Sequence, residues 1–144
     1  MKRIALLSLA VGLTAWTAVE AQTLELRAHK TTPGSVTAGI GDTVQIDVIA
    51  RLDHLDVSGI DLHLSLPKNA FDVVDQGRQS GVQPFAKGSL FSHVVEAYNG
   101  LNDVPDDADG GRLHLRYAAL TSLGEERAAS GGGVVASFDL VVLG

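Results

Sequence analysis

Hydrophobic and polar positions alternate most strongly between Gly41 and Leu66. In the first half of that stretch Val44, Ile46, Val48 and Ala50 share one side, while Gln45, Asp47 and Arg51 mostly take the other. After a short polar link, Ile60, Leu62, Leu64 and Leu66 alternate with Asp61, His63 and Ser65. A period of two residues is that of an extended strand, so one row enters a core and the other faces water. The two segments are expected to form the centre of a half-buried sheet.

The same period recurs along the chain. Leu24 to His29 sets Leu24, Leu26 and Ala28 against Glu25, Arg27 and His29, and Thr32-Pro33-Gly34 ends it with a turn. Val36 to Ala38 reads as a short extended piece. Pro67-Lys68-Asn69 stops the strand that begins near Ile60, and Ala70 to Val74 offers another short run. Asp75 to Gly88 is rich in Gly, Gln, Ser and Pro without helical spacing, which predicts a long loop or an irregular edge. Leu90 to Tyr98 is favoured as a strand by its β-branched and aromatic content. Asn99 to Gly111 reads as a polar, acidic loop, and Arg112 to Leu120 alternates Leu113, Leu115 and Tyr117 with His114 and Arg116. Thr121 to Gly133 is a loop with at most a turn of helix between Leu123 and Ala129. Val134 to Leu143 is apolar on both faces, the pattern of a central strand. Seven to nine strands without a long helix predict an all-β sandwich.

The amino-terminal segment changes what the mature molecule contains. Lys2 and Arg3 precede an apolar run from Ile4 to about Ala18, and Val19-Glu20-Ala21 stands before Gln22. This is the layout of a signal peptide, residues 1–21, cleaved after Ala21, and it implies a secreted or periplasmic protein. The apolar run is shorter than the roughly 20 residues of a bilayer span. Its removal takes away Lys2, Arg3 and Glu20 and leaves 9 basic and 16 acidic residues, a net charge of −7 by subtraction from the whole chain's 11 and 17. Such a balance disfavours nucleic acid, whose phosphates select basic faces. With no cysteine in the chain, an exported domain of residues 22–144 stands on its apolar core without a disulfide, and that length supports a single domain.

Candidate chemistry is sparse. Asp103, Asp106, Asp107 and Asp109 form an acidic loop that invites calcium; an EF-hand frame fails, with Pro105 and Arg116 at its first and last ligand positions, which leaves a non-EF calcium site or a solvated turn rich in Asp and Gly as the two readings. His29, His54, His63, His93 and His114 lack the close spacing of a metal pair, so no metal and no cofactor is expected. Ser35, Ser58 and Ser92 stand outside any nucleophile motif, and the glycines at 131–133 lack the lysine and helix of a phosphate loop. The expectation is a protein that is not an enzyme.

Four local matches then carry a resemblance: Gly41-Asp42-Thr43-Val44, Ser58-Gly59-Ile60-Asp61-Leu62, Gly111-Arg112-Leu113-His114-Leu115 with Ala118-Ala119, and Gly133-Val134-Val135-Ala136-Ser137-Phe138. In this order and spacing the chain resembles the cohesin family of nine-stranded jelly-roll β-sandwiches. The family's turn after the third strand, an aromatic residue and Asp-Pro, is replaced here by Leu66-Pro67-Lys68-Asn69. The resemblance implies a non-catalytic module that docks a dockerin-like protein partner on an exposed sheet face. On this chain the implied partner-binding residues are Asp61, His63, Ser65, His114 and Arg116, with Asp61 the first to test. The alternative is a carbohydrate-binding module associated with polysaccharide breakdown. Such modules stack sugars on exposed aromatic rings. The only tryptophan, Trp16, lies in the signal peptide, which leaves Tyr98, Phe91, Phe85 and Phe71 as platform candidates, with Tyr117 and Phe138 assigned to the core. A third reading, self-association through a sheet edge or face, is hinted at only by the apolar closing strand.

Overall fold

The computed structural model describes residues 23–29, 37–52, 57–77, 80–90, 94–101, 111–121 and 131–144. The expected signal peptide at 1–21, the acidic loop at 103–109, the helical turn expected at 123–129, and His54, Phe91, Ser92 and His93 lie outside the described residues.

Eight strands are formed by these residues: β1 (Thr23–Ala28), β2 (Thr43–Arg51), β3 (Gly59–Pro67), β4 (Phe71–Val73), β5 (Phe85–Lys87), β6 (Val94–Leu101), β7 (Arg112–Thr121) and β8 (Gly132–Val142). They make two antiparallel sheets, one in the order β1-β2-β8-β4 with β5 also on β8, the other in the order β3-β7-β6. The all-β class is as expected from the alternation. Among the described residues no helix is long and apolar enough to cross a membrane.

The closing apolar stretch forms the spine of the five-stranded sheet. β8 pairs with β2 along its length, while β5 and β4 share its other side at Ala136–Phe138 and Leu140–Val142. A register shift opposite Val48 and Ile49 leaves Val135 as an extra residue in β8, so Val135 and Ala136 are consecutive and both fully buried. A bulge of this kind is how a strand turns two neighbouring side chains toward a core.

The core lies between the inner rows of the two sheets. Ile46, Val48 and Ala50 from β2 and Phe138 and Leu140 from β8 meet Leu62, Leu64 and Leu66 from β3 and Leu115, Tyr117 and Ala119 from β7. These are the rows that the two-residue period assigned inward.

Phe85 sits at the centre of the core. Its ring centroid is 5.4 Å from Tyr117 and 5.3 Å from Phe138, one from each sheet. The segment expected to be a loop at 75–88 therefore contains a strand, β5, whose first residue fills the middle of the sandwich. Three residues of strand among glycines and glutamines carry too little periodicity to be read locally. Two more expectations change: Thr37 and Ala38 form no strand, and β6 runs on through Asn99, Gly100 and Leu101, which the polar composition had placed in a loop.

Asn99 is the reason that the extension matters. Its side-chain amide donates to the carbonyl of Phe85 at 2.7 Å, and its Oδ1 accepts from the amide N–H of Phe85 at 3.1 Å. The side chain thus acts as a strand partner for one residue and closes the seam between the two sheets. An amide carries one acceptor and two donors, so it can satisfy both main-chain groups of a facing residue.

Candidate functional site

The outward face of β3-β7-β6 gathers every residue that the sequence nominated for partner binding. Inter-strand register places Asp61 opposite Ala118, His63 opposite Arg116, and Ser65 opposite His114. On the other side of β7, Ala118 faces Tyr98 and Arg116 faces Gly100. Because alternate residues of each strand project to the same side, these pairs form one continuous surface.

Arg116 organises it. Its Nε and Nη2 donate to Asp61 Oδ1 and Oδ2 at 3.0 and 2.8 Å, a two-pronged contact running diagonally across β7 to β3. The same guanidinium carbon lies 5.2 Å from the centre of the Tyr98 ring on β6. One side chain therefore ties all three strands together across the small Ala118. Planar guanidinium suits both contacts, since it forks toward a carboxylate and stacks on an aromatic face.

His63 Nε2 stands 3.2 Å from Asp61 Oδ1 and adds a second contact to the carboxylate. The hydrogen bonds from Arg116 hold the Asp61 carboxyl below the ordinary aspartate range, helped by the charges of Arg116 and His63 and opposed by slight burial. Arg116 is correspondingly pushed up by its bonds to Asp61. Farther along, Arg112 donates from Nη2 to the Ser65 carbonyl at 2.8 Å and from Nε to the Ser65 hydroxyl at 2.5 Å.

The sequence reading missed the apolar end of this surface. Val95 and Leu120 face each other in register and are 58 and 56% exposed, and Tyr98 next to them is 37% exposed. Two glycines make room: a Cβ on Gly59 would meet the Leu120 side chain, and one on Gly100 would crowd the Tyr98 hydroxyl at 3.2 Å. The signal available beforehand was the break in alternation at Ala118-Ala119-Leu120, which leaves a leucine on the polar row of β7.

Elsewhere, His29 Nδ1 lies 2.7 Å from Asp47 Oδ2 on the five-stranded sheet, beside an open cleft of about 380 Å³. Asp47 belongs to the polar row of β2, yet only 9% of it is exposed, because the end of β1 covers it. No third ionisable partner joins this pair within the described residues, which contain no group of three or more potential metal ligands.

Tyr98 is the exposed aromatic residue among those described. One face of its ring is stacked by Arg116 and its hydroxyl donates to the Leu101 carbonyl at 3.0 Å. Phe85 is buried in the core, and Phe71 is partly buried and packs against it. No protein-family model, curated protein or solved structure matches this chain.

Proposed function

We propose that the protein is an exported, non-catalytic module with the nine-stranded jelly-roll organisation of cohesins, and that it docks a protein partner on the outward face of β3-β7-β6. The observation that carries this reading is the coincidence of two features on one face. Asp61, His63, Ser65, His114 and Arg116 lie beside the exposed Val95, Leu120 and Tyr98. Protein interfaces draw their affinity from a few apolar or aromatic anchors ringed by polar groups that set orientation. Leu120, Val95 and Tyr98 supply the anchors. Asp61, held rigid by Arg116, supplies a fixed acceptor whose geometry costs little entropy on binding.

The carbohydrate alternative receives less support, since sugar stacking favours several free ring faces and the exposed ring among the described residues, Tyr98, has one face stacked by Arg116. The test is capture from the exported proteome with the wild-type protein and three variants. A discrete partner retained by the wild type and by Gln45→Arg on the opposite sheet, but lost with Asp61→Arg and Leu120→Asp, is the expected result. Retention unaffected by the last two variants overturns the face. Retardation in affinity electrophoresis through glucans would move the reading to carbohydrate.

A further inference from the structure

We propose that Asn99-Gly100 is a modification site: the asparagine deamidates through a cyclic imide with the glycine, the closed seam to Phe85 holds it unreacted, and the converted residue cannot remake both bonds of that seam. This concerns the join between the two sheets and does not rest on the docking face.

The fold asks for these two residues side by side, each for its own reason. The Asn99 carboxamide accepts from the Phe85 N–H at 3.1 Å and donates to the Phe85 carbonyl at 2.7 Å. Gly100 is buried next to it, and a Cβ there would lie 3.2 Å from the Tyr98 hydroxyl and 3.4 Å from the ring. That ring has little room to yield, since Arg116 stacks on it and its hydroxyl is bonded to the Leu101 carbonyl. Two separate packing demands thus create an Asn-Gly step. Such a step closes to an imide readily, because glycine has no side chain to shield the attacking nitrogen.

In the reaction the main-chain nitrogen of Gly100 bonds to Cγ of Asn99 and gives up its proton, while the bond from Cγ to Nδ2 breaks and ammonia leaves. Water then opens the five-membered imide. Cleavage between the nitrogen and Cγ gives aspartate, and cleavage between the nitrogen and the main-chain carbonyl carbon gives isoaspartate, whose chain runs through Cγ. Either product carries one new negative charge.

The closed seam opposes the first step twice. Asn99 and Gly100 stand in strand register with Tyr117 and Arg116, and a side chain on an extended strand projects away from the strand axis, so attack requires the backbone to rotate. Both hydrogen bonds to Phe85 also hold the carboxamide in place. Reaction therefore waits for local opening of β6 and β5. After conversion the carboxylate has no N–H for the Phe85 carbonyl and sets its charge against that oxygen. Isoaspartate also lengthens the backbone by one atom and so breaks the two-residue alternation of β6. Time spent with the seam open is thus written into the covalent structure.

The full chain, kept at mildly alkaline pH either folded or in urea and then mapped by peptide mass spectrometry for aspartate and isoaspartate at residue 99, tests the protection. Conversion is expected in both, about ten-fold or more slower in the folded chain. Phe85→Leu keeps the main-chain partners of Asn99 but removes the ring contacts with Tyr117 and Phe138 that anchor β5. It should speed conversion several-fold in a chain that circular dichroism shows to be folded. As a second readout, hydrogen exchange at the Phe85 amide should quicken about ten-fold in wild-type chains already converted. Equal rates in the folded and unfolded chains, no conversion in urea, a folded Phe85→Leu chain no faster than wild type, or Phe85 exchange unchanged by conversion overturns the proposal.

Discussion

The two faces of β7 are built by opposite rules. Inward, Leu115, Tyr117 and Ala119 are completely buried, yet the Tyr117 hydroxyl has no hydrogen-bonding partner among the described residues. Outward, Arg116 makes two bonds to Asp61 and stacks on Tyr98, while Leu120 beside them stays 56% exposed. Among the described residues the core thus holds a polar atom without a partner to keep a large ring, and the surface keeps a large apolar side chain in water. The first is a packing compromise, since the aromatic cluster with Phe85 and Phe138 buries far more than one hydroxyl costs. The second is the feature on which the docking face proposed above rests.

The sharpest way to break the contrast is to make the same substitution on both faces. Leu115→Ala should cost about 2–5 kcal/mol in chemical denaturation, since it removes buried methyl groups and leaves a cavity. Leu120→Ala, five residues along the same strand, should change stability by less than about 0.5 kcal/mol. Equal losses at both positions would mean that the outer face is structural.

Between those extremes comes the seam. Asn99→Ala leaves the N–H and carbonyl of Phe85 without their partner and should cost about 1–3 kcal/mol. Asn99→Asp, which keeps an acceptor but loses the donor, should recover only part of it.

Tyr117→Phe removes the orphaned hydroxyl and is expected to leave stability unchanged or raise it by up to about 1 kcal/mol. A loss would show that the hydroxyl is partnered. Burial, helped by the charge of Glu96, pushes the Tyr117 phenol up to about 12 from an ordinary 10. The unfolded chain therefore ionises first as pH rises, and stability should fall between those values in the wild type and fall less in Tyr117→Phe. Alkaline denaturation followed by circular dichroism reads the difference.

The smallest effect belongs to the Asp61 ladder. Its carboxyl is lowered in the folded state, so its contribution is present above the ordinary value near 3.8 and is lost as pH falls below it. Urea melts of the wild type and Asp61→Asn should differ slightly at neutral pH and converge in acid. Added salt should narrow the gap as well, because the pair is exposed.

Much of this was legible in the chain. The inward rows of β2, β3 and β7 are read directly from their period, and the outward row of Asp61, His63 and Ser65 follows from the same alternation by subtraction. β5 was not legible, because three residues cannot display a period and Phe85 is buried by partners 32 and 53 positions away, Tyr117 and Phe138. Asn99 was read as loop for its polarity. In fact it is polar because it replaces a main-chain partner at a seam.

The apolar closing strand illustrates the same limit. Its composition hinted at an adhesive edge, but β8 lies between β2 on one side and β4 and β5 on the other, with no edge left to offer. β3, whose alternation made it look like the centre of a sheet, is bordered among the described strands by β7 alone.

Local sequence thus determined the long alternating strands and which side of each faces water, because both depend only on a two-residue geometry and on the cost of burying polar groups. Tertiary structure alone decided which strands are neighbours and that Arg116 reaches both Asp61 and Tyr98. Those outcomes depend on register between segments far apart along the chain, as Gly59 is from Leu120, and no local pattern encodes a register.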